Sequence, residues 1–423
     1  MTRTIYALSS GAPPAAVAIV RISGPEARDA LRALAGRVPA PRRATLATLA
    51  DPATGDPIDR ALTLWFPGPA SATGEDLAEL HLHGGRAVVA AVLAALSAID
   101  GLSPAGPGDF TRRAFENGRI DLAEAEGLAD LLFAETESQR RNALAIAAGG
   151  LSAQVAVWQT HLLDFSARAE ALLDFSDEDD IEDDDRERLS TAIDAFAADI
   201  GAWLSRPAGE RLRDGLRVTL AGPPNAGKST LLNALVGRDA AIVSSLAGTT
   251  RDVIEVPLAL AGRPFLFVDT AGLHEGTGDE IEAIGIARAR LAVDHSDIVL
   301  WLGDAMPDDR RAIWVHAQSD RRNEDSRADV RVSAVNGEGI DRLVALLIDR
   351  ADALLPVPGE VALNRRQRDL LGQAHDALRD RPDELLLVAE SLRSARIALD
   401  RLTGRAGTED MLDALFGRFC IGK

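Results

Sequence analysis

The sequence predicts a multidomain protein of α/β and α+β character. It has a mixed N-terminal domain, a discontinuous helical domain, and an α/β domain inserted into the helical one. Three observations carry this. Short apolar strands broken by Gly and Pro fill the first stretch. A helical apolar periodicity then runs from Arg119 to about Arg213 and resumes from about Leu363. Between these, near-continuous apolar runs alternate with helical patterns, the mark of a buried parallel sheet. The predicted boundaries are 1–118, 119–213, 214–356 and 357–423.

In the first domain, TIYALSS, AVAIVRIS, ALTLWFP and LAELHLH read as strands, and GRAVVAAVLAALSAI reads as a helix. In the second, an acidic run from Asp177 to Asp185 separates two helical stretches and reads as a solvated loop. In the third, LRVTLAG, RPFLFVDT and SDIVLWLGD read as buried parallel strands.

Composition narrows the function classes. The 423 residues carry a net charge of −19, so any nucleic-acid contact needs a local basic patch or a basic partner. A single cysteine, Cys420, excludes an internal disulfide and fits a reducing compartment. The longest apolar run, Ala87 to Leu96, is too short to cross a membrane, and the N-terminus lacks a signal-peptide pattern. The expected location is the cytoplasm, with no membrane partner. Of 46 Lys and Arg residues only two are Lys, at 228 and 423.

Lys228 falls in Gly222-Pro-Pro-Asn-Ala-Gly-Lys-Ser229, a match to G-x-x-x-x-G-K-[ST] between a strand and a helix. This is a P-loop. Its glycines let backbone N–H groups surround phosphates, and the helix N-terminus adds positive potential. Lys228 supplies charge to the β- and γ-phosphates, and Ser229 offers a hydroxyl to Mg²⁺. Asp269-Thr270-Ala271-Gly272 ends the next apolar strand, where a carboxylate can hold the Mg²⁺ shell and Gly272 can turn its N–H to a γ-phosphate. Thr250, in Ala247-Gly248-Thr249-Thr250-Arg-Asp252, is placed to close on Mg²⁺. The order of these elements predicts a GTP-binding G domain, a parallel sheet with helices on both faces.

The base-reading element departs from the expected Asn-Lys-x-Asp. The chain offers Ala317-Gln-Ser-Asp320, so Asp320 can accept from guanine while the Asn and Lys are missing. Ser333 and Ala334 fit the following loop. Leu273 stands where a water-orienting Gln is expected, so another group must do that work. Glu282 is a candidate, and a monovalent cation on Asn225 could supply the charge of an arginine finger.

With these features, the chain resembles the MnmE/TrmE family of tRNA-modifying GTPases. The last four residues, Cys420-Ile-Gly-Lys423, match its C-terminal signature. RISG, TGEDLAELHLHGG, RAFENGRIDLAEAEGLADL and AIVSSLAGTTRD also look like its segments. The resemblance covers nearly the whole chain.

The resemblance implies an N-terminal tetrahydrofolate-binding and dimerisation domain, with Arg21, Glu79, Arg119 and Lys423 at the folate site. It implies nucleotide contacts along Asn225, Ala226, Gly227, Lys228, Ser229 and Thr230, and along Ser244, Ser245, Leu246, Ala247, Gly248, Thr249 and Thr250. It implies K⁺ ligands at Asn225, Ser244, Leu246 and Thr249, Mg²⁺ ligands at Ser229 and Thr250, and a water-orienting Glu282. G-domain dimerisation would then depend on K⁺. With a flavin (FAD)-dependent partner, MnmG (GidA), in a heterotetramer, such a homodimer adds an aminomethyl or carboxymethylaminomethyl group to C5 of the wobble uridine of tRNA. The one-carbon donor is a 5-formyl- or 5,10-methylene-type tetrahydrofolate, and glycine or ammonium supplies the nitrogen.

Other readings stand beside this one. Cys420 could attack C6 of uridine, or simply pack as a small residue beside the folate site. His81 and His83 alternate on one strand and face one side, as a metal pair or as structural residues. A GTP-dependent ribosome-assembly or RNA-binding factor without modification chemistry is the alternative function. Such a factor needs neither the folate-like segments nor the terminal CIGK.

Overall fold

The computed structural model describes residues 3–174, 183–239, 241–242, 254–269, 290–322, 327–357, 359–405 and 409–423. Two compact units emerge: Met1–Ala129 with Thr403–Lys423, and Asp130–Leu402. Among the described residues, no helix is long and apolar enough to cross a membrane.

The first unit is built on a six-stranded sheet in the order β3-β4-β5-β2-β1-β6. The strands are β1 (Thr4–Leu8), β2 (Ala15–Ser23), β3 (Thr45–Ala50), β4 (Pro57–Phe66), β5 (Leu77–Gly84) and β6 (Leu102–Pro104). Only β1 and β6 pair in parallel. Side chains alternate across the pleat. Val20, Ile22, Leu80 and Leu82 point into a core closed by α1 (Ala27–Ala35) and α2 (Arg86–Ser97). Arg21 and Glu79, cross-strand partners, therefore fall on the opposite face. There Phe110 of α3 (Asp109–Glu116) packs with Ile5, Ala7 and Ala105.

Residues 403–423 complete this unit. Phe416, at the end of α13 (Glu409–Phe416), packs with Phe419 against Ala125 and Ala129 of α4 (Leu122–Phe133). Arg112 pairs with Asp413 at 2.5 Å. Two glycines permit the approach. Gly108, φ +73°, lies against the Phe416 carbonyl, and Gly422, φ +92°, lies against the Leu8 carbonyl. A Cβ at either would collide with backbone. Ile421 bridges to Pro107 beside them.

The second unit joins helices to a seven-stranded sheet. Its helices include α5 (Glu137–Ala147), α6 (Gly150–Asp174), α7 (Asp183–Leu204), α8 (Gly209–Asp214), α11 (Arg365–Arg379) and α12 (Leu385–Thr403). Trp158 on α6 is fully buried; its indole donates to Asp199 of α7 at 2.7 Å and meets Trp203 edge-on. The acidic run was expected as a loop to Asp185, but α7 already starts at Asp183. Carboxylates suit a first helical turn, and Arg188 adds pairs to Asp184 and Asp185. Positions 177–182 of that run lie outside the described residues.

The sheet runs β13-β12-β11-β7-β10-β9-β8. Its strands are β7 (Leu216–Ala221), β8 (Ala241–Ile242), β9 (Ile254–Leu260), β10 (Arg263–Asp269), β11 (Ile298–Trp301), β12 (Ala312–Ala317) and β13 (Val330–Val332). As expected from their apolar runs, β7, β10 and β11 are parallel neighbours. β9 is antiparallel to both β8 and β10, an element the apolar pattern did not flag. α9 (Lys228–Asp239) and α10 (Ile340–Leu354) follow β7 and β13. The turn after β9 meets α5, where Ser138 donates its amide to the Gly262 carbonyl at 3.3 Å.

The glycine at 422 carries a prediction. Gly422→Ala should lower the stability of the Met1–Ala129/Thr403–Lys423 unit by about 2 kcal/mol, from combined strain and backbone collision. Ile421→Ala, at a 60 % exposed side chain, should be near neutral. Thermal unfolding of both variants checks this, and equal melting temperatures would exclude the close approach.

Candidate functional site: a phosphate loop and a paired sheet face

The phosphate loop leaves the carboxyl end of β7 and enters α9, the position where open parallel sheets bind ligands. Gly222, φ +146°, lies so close to the chain just after β11 that a Cβ there would stand 3.1 Å from the Leu302 backbone. Gly227 has φ +95°. Asn225, though not a glycine, is also left-handed at φ +61°. Ala226 is buried beneath the loop. Lys228 is only 4 % exposed, and its Nζ donates to the carbonyls of Gly222 and Pro223 at 3.0 Å each. Burial pulls the lysine below its ordinary pKa, and the charge of Asp269 partly opposes this.

Ser229 Oγ donates to Asp269 Oδ2 at 2.7 Å, joining the start of α9 to the end of β10. A hydroxyl and a carboxylate are hard oxygen donors and suit Mg²⁺. The other residues expected around the phosphates and metals lie outside the described residues: Ser244, Ser245, Leu246, Ala247, Gly248, Thr249, Thr250, Thr270, Ala271, Gly272 and Glu282. Leu273 is outside them too.

The base-reading side is described. A cavity of about 270 Å³ is lined by Gly227, Thr230, Gln318, Asp320, Arg321 and Ala334, among others. Asp320 accepts from Ser333 Oγ at 2.7 Å, and Ser333 is fully buried. The serine therefore orients the carboxylate as well as supplying the neighbouring loop. Gln318 and Arg321 also line this cavity, roles that the departure from Asn-Lys-x-Asp does not by itself predict. Their signal was their place beside Asp320.

In the other unit, Arg21 and Glu79 are brought into direct contact. Arg21 Nη2 donates to Glu79 Oε1 at 2.9 Å, and His81 Nε2 bonds Oε2 at 3.2 Å. Burial pushes the Glu79 carboxyl up, but the bonds from His81 and Arg21 outweigh it and hold the group below the usual carboxylate value. The Arg21 guanidinium also lies 5.8 Å from the Phe110 ring. Arg119 is exposed beside Gly74, whose built Cβ would stand 3.2 Å from Arg119 Cγ. Lys423 follows Gly422 and donates its amide to the carbonyl of the exposed Cys420 at 3.2 Å.

The two histidines do not converge. His81 pairs with Glu79, while His83 Nδ1 pairs with Asp59 Oδ1 at 2.7 Å. Among the described residues no group of three or more metal-type side chains forms.

A buried polar network lies beside this pair, since Ser23 is two residues from Arg21 on β2, and the sequence pattern does not reveal it. Ser23 Oγ and Thr73 Oγ1 are 2.7 Å apart, and Ser23 Oγ donates to Glu75 Oε2 at 3.0 Å. Arg113 Nη1 donates to the same oxygen at 2.7 Å, and Asn117 Nδ2 to the Thr73 carbonyl at 2.8 Å. It ties RISG, TGED and RAFENG into one scaffold next to Arg21 and Glu79.

Comparison with known proteins fits both halves of this description. Residues 4–119 match the family model of the GTP-binding protein TrmE N-terminus, and residues 122–420 match that of the MnmE helical domain. A tRNA modification GTPase MnmE from Rhizorhabdus wittichii is 62 % identical, over 99 % of this chain and 96 % of the relative. Proteins of the same name from Novosphingobium aromaticivorans and Erythrobacter litoralis are 58 % and 59 % identical, over 100 % of each relative and 100 % and 99 % of this chain. Identity at this level, along nearly the full length of both partners, means that the chain belongs to the MnmE/TrmE family.

Proposed function

We propose that this chain is a GTP hydrolase that modifies tRNA. Acting with a flavin-dependent MnmG partner, it would place an aminomethyl or carboxymethylaminomethyl group on C5 of the wobble uridine. The observation that carries the hydrolase half is the joint placement of Lys228, the Ser229–Asp269 bond and the Asp320 cavity around one loop.

In this reading the loop amides and the α9 N-terminus bind the phosphates of GTP. Lys228 turns from the two carbonyls to the β- and γ-phosphates. Ser229 and Thr250 hold Mg²⁺, with Asp269 fixing the serine. Mg²⁺, when bound, neutralises charge on the transferring phosphoryl group. Asn225, Ser244, Leu246 and Thr249 would hold K⁺, which would supply positive charge to the site. Glu282 orients the attacking water, a task Leu273 cannot perform. Asp320 accepts from guanine, held by Ser333.

Arg21, Glu79, Arg119 and Lys423 bind the tetrahydrofolate, which supplies the one-carbon unit. The fit is chemical. Glu79 is kept ionised and can accept from the N–H groups of a pterin, and the cations suit folate carboxylates. Homodimerisation and a shared tRNA surface with MnmG would reconcile an RNA substrate with a chain of charge −19. A cytoplasmic location follows from that substrate.

Turnover of GTP in KCl against NaCl, with ATP as control, tests the hydrolase. Faster turnover in KCl with GTP alone is expected, and equal slow rates in both salts would overturn the K⁺-dependent mechanism. Asp320→Asn should relax discrimination against xanthosine triphosphate; an unchanged GTP preference would remove Asp320 from base reading. Deleting Lys423 should weaken 5-formyltetrahydrofolate binding by about tenfold or more, the size of one charge-assisted bond. Equilibrium dialysis measures this. Concurrent loss of GTP turnover would assign the lysine a structural role instead.

A further inference from the structure

Gln318 occupies the second position of the Ala317-Gln-Ser-Asp320 quartet, and its backbone is left-handed, φ +58°. Asn225 in the phosphate loop is left-handed as well, φ +61°. These two residues are bonded to each other: Gln318 Nε2 donates to the Asn225 carbonyl at 3.0 Å. Residues with a Cβ adopt this backbone region where their surroundings hold them in it.

The surroundings of Gln318 do so. Its carbonyl accepts from the amides of Arg321 and Arg322 at 2.9 and 3.0 Å, closing the turn that carries Asp320. The next amide, of Ser319, donates to the Val332 carbonyl at 3.2 Å. The side chain then runs over the phosphate loop, where a Cβ at Gly227 would stand 3.5 Å from Nε2 and 3.7 Å from Cγ. Gly227, Gln318 and Asp320 line the same cavity.

We propose that Gln318 is a positioning residue whose neutral amide fastens the base-reading loop to the phosphate loop. Asp320 and the phosphate-binding amides then meet one nucleotide as a single rigid surface. The glutamine takes no part in choosing the base, which stays with the Asp320 carboxylate. This rests on the guanine-nucleotide reading of the site.

The test uses the full chain and a fluorescent methylanthraniloyl-GDP, displaced by GDP or by inosine diphosphate. Inosine lacks the exocyclic amine that Asp320 can read. Gln318→Leu keeps the stem and removes the donor. It should weaken GDP and inosine diphosphate by about tenfold each, the effect of one hydrogen bond, with their ratio unchanged. Gln318→Lys, whose ammonium can reach the same carbonyl, should recover most of the loss.

Wild-type affinity in Gln318→Leu would overturn the proposal. So would loss of the GDP preference in that variant, since Gln318 would then read the base itself. A Gln318→Lys chain as weak as the leucine variant would overturn it too. Should the leucine variant fail to fold, Gln318→Glu puts a carboxylate against the Asn225 carbonyl; a tenfold loss supports the bridge and unchanged binding excludes it. Failure of the unmutated chain to bind either nucleotide refutes the site reading instead, and shows in the first titration.

Discussion

Lys228 is a cation held almost out of water, and the nucleotide site is arranged around that constraint. A buried ammonium must be surrounded by acceptors. The structure provides two loop carbonyls and the nearby charge of Asp269. Those carbonyls converge because Gly222 passes tight against Leu302 and the loop turns through left-handed positions at Asn225 and Gly227. Asp269 in turn is spoken for by Ser229, which begins the helix the loop feeds. Remove the glycine geometry and the acceptors separate, leaving a buried charge alone.

In the other unit the corresponding constraint is an ionised carboxylate on a sheet face. Glu79 stays charged because Arg21 and His81 each take one of its oxygens. Arg21 is placed there by strand register alone, while Ser23, two residues on, is drawn into the network with Thr73, Glu75 and Arg113. The motif segments are thus partly scaffold: some of their residues present chemistry, and others hold the strands that do.

What was legible in the sequence was what is written locally. The phosphate loop is eight contiguous residues with a strand before and a helix after, and the fold places it as that spacing implies. The parallel strands β7, β10 and β11 were legible as apolar runs. The antiparallel β9 was not, since its sequence, IEVPLAL, carries a proline and has its partners on both sides in space. The Arg21–Glu79 pair could be named only through family resemblance, because cross-strand register joins residues 58 apart. Gln318 was invisible for a different reason. Motif comparison reports a missing lysine, but only geometry shows that the amide standing in its place reaches Asn225.

The return of residues 403–423 to the first unit has a consequence for synthesis. On the ribosome, Met1–Ala129 emerges before Asp130–Leu402, yet its partners Phe416, Phe419 and Gly422 emerge only after the whole of that second unit. The pairing of Pro107 with Ile421 joins the two ends of that delay. Loop-closure entropy rises slowly with length, so the finished contact is not heavily penalised. Its timing is another matter: the surface of α3 and α4 that receives Phe416 and Phe419 stays uncovered for most of translation. The unit that starts earlier is therefore completed later than Asp130–Leu402, and its nascent form is the one with apolar surface to shield.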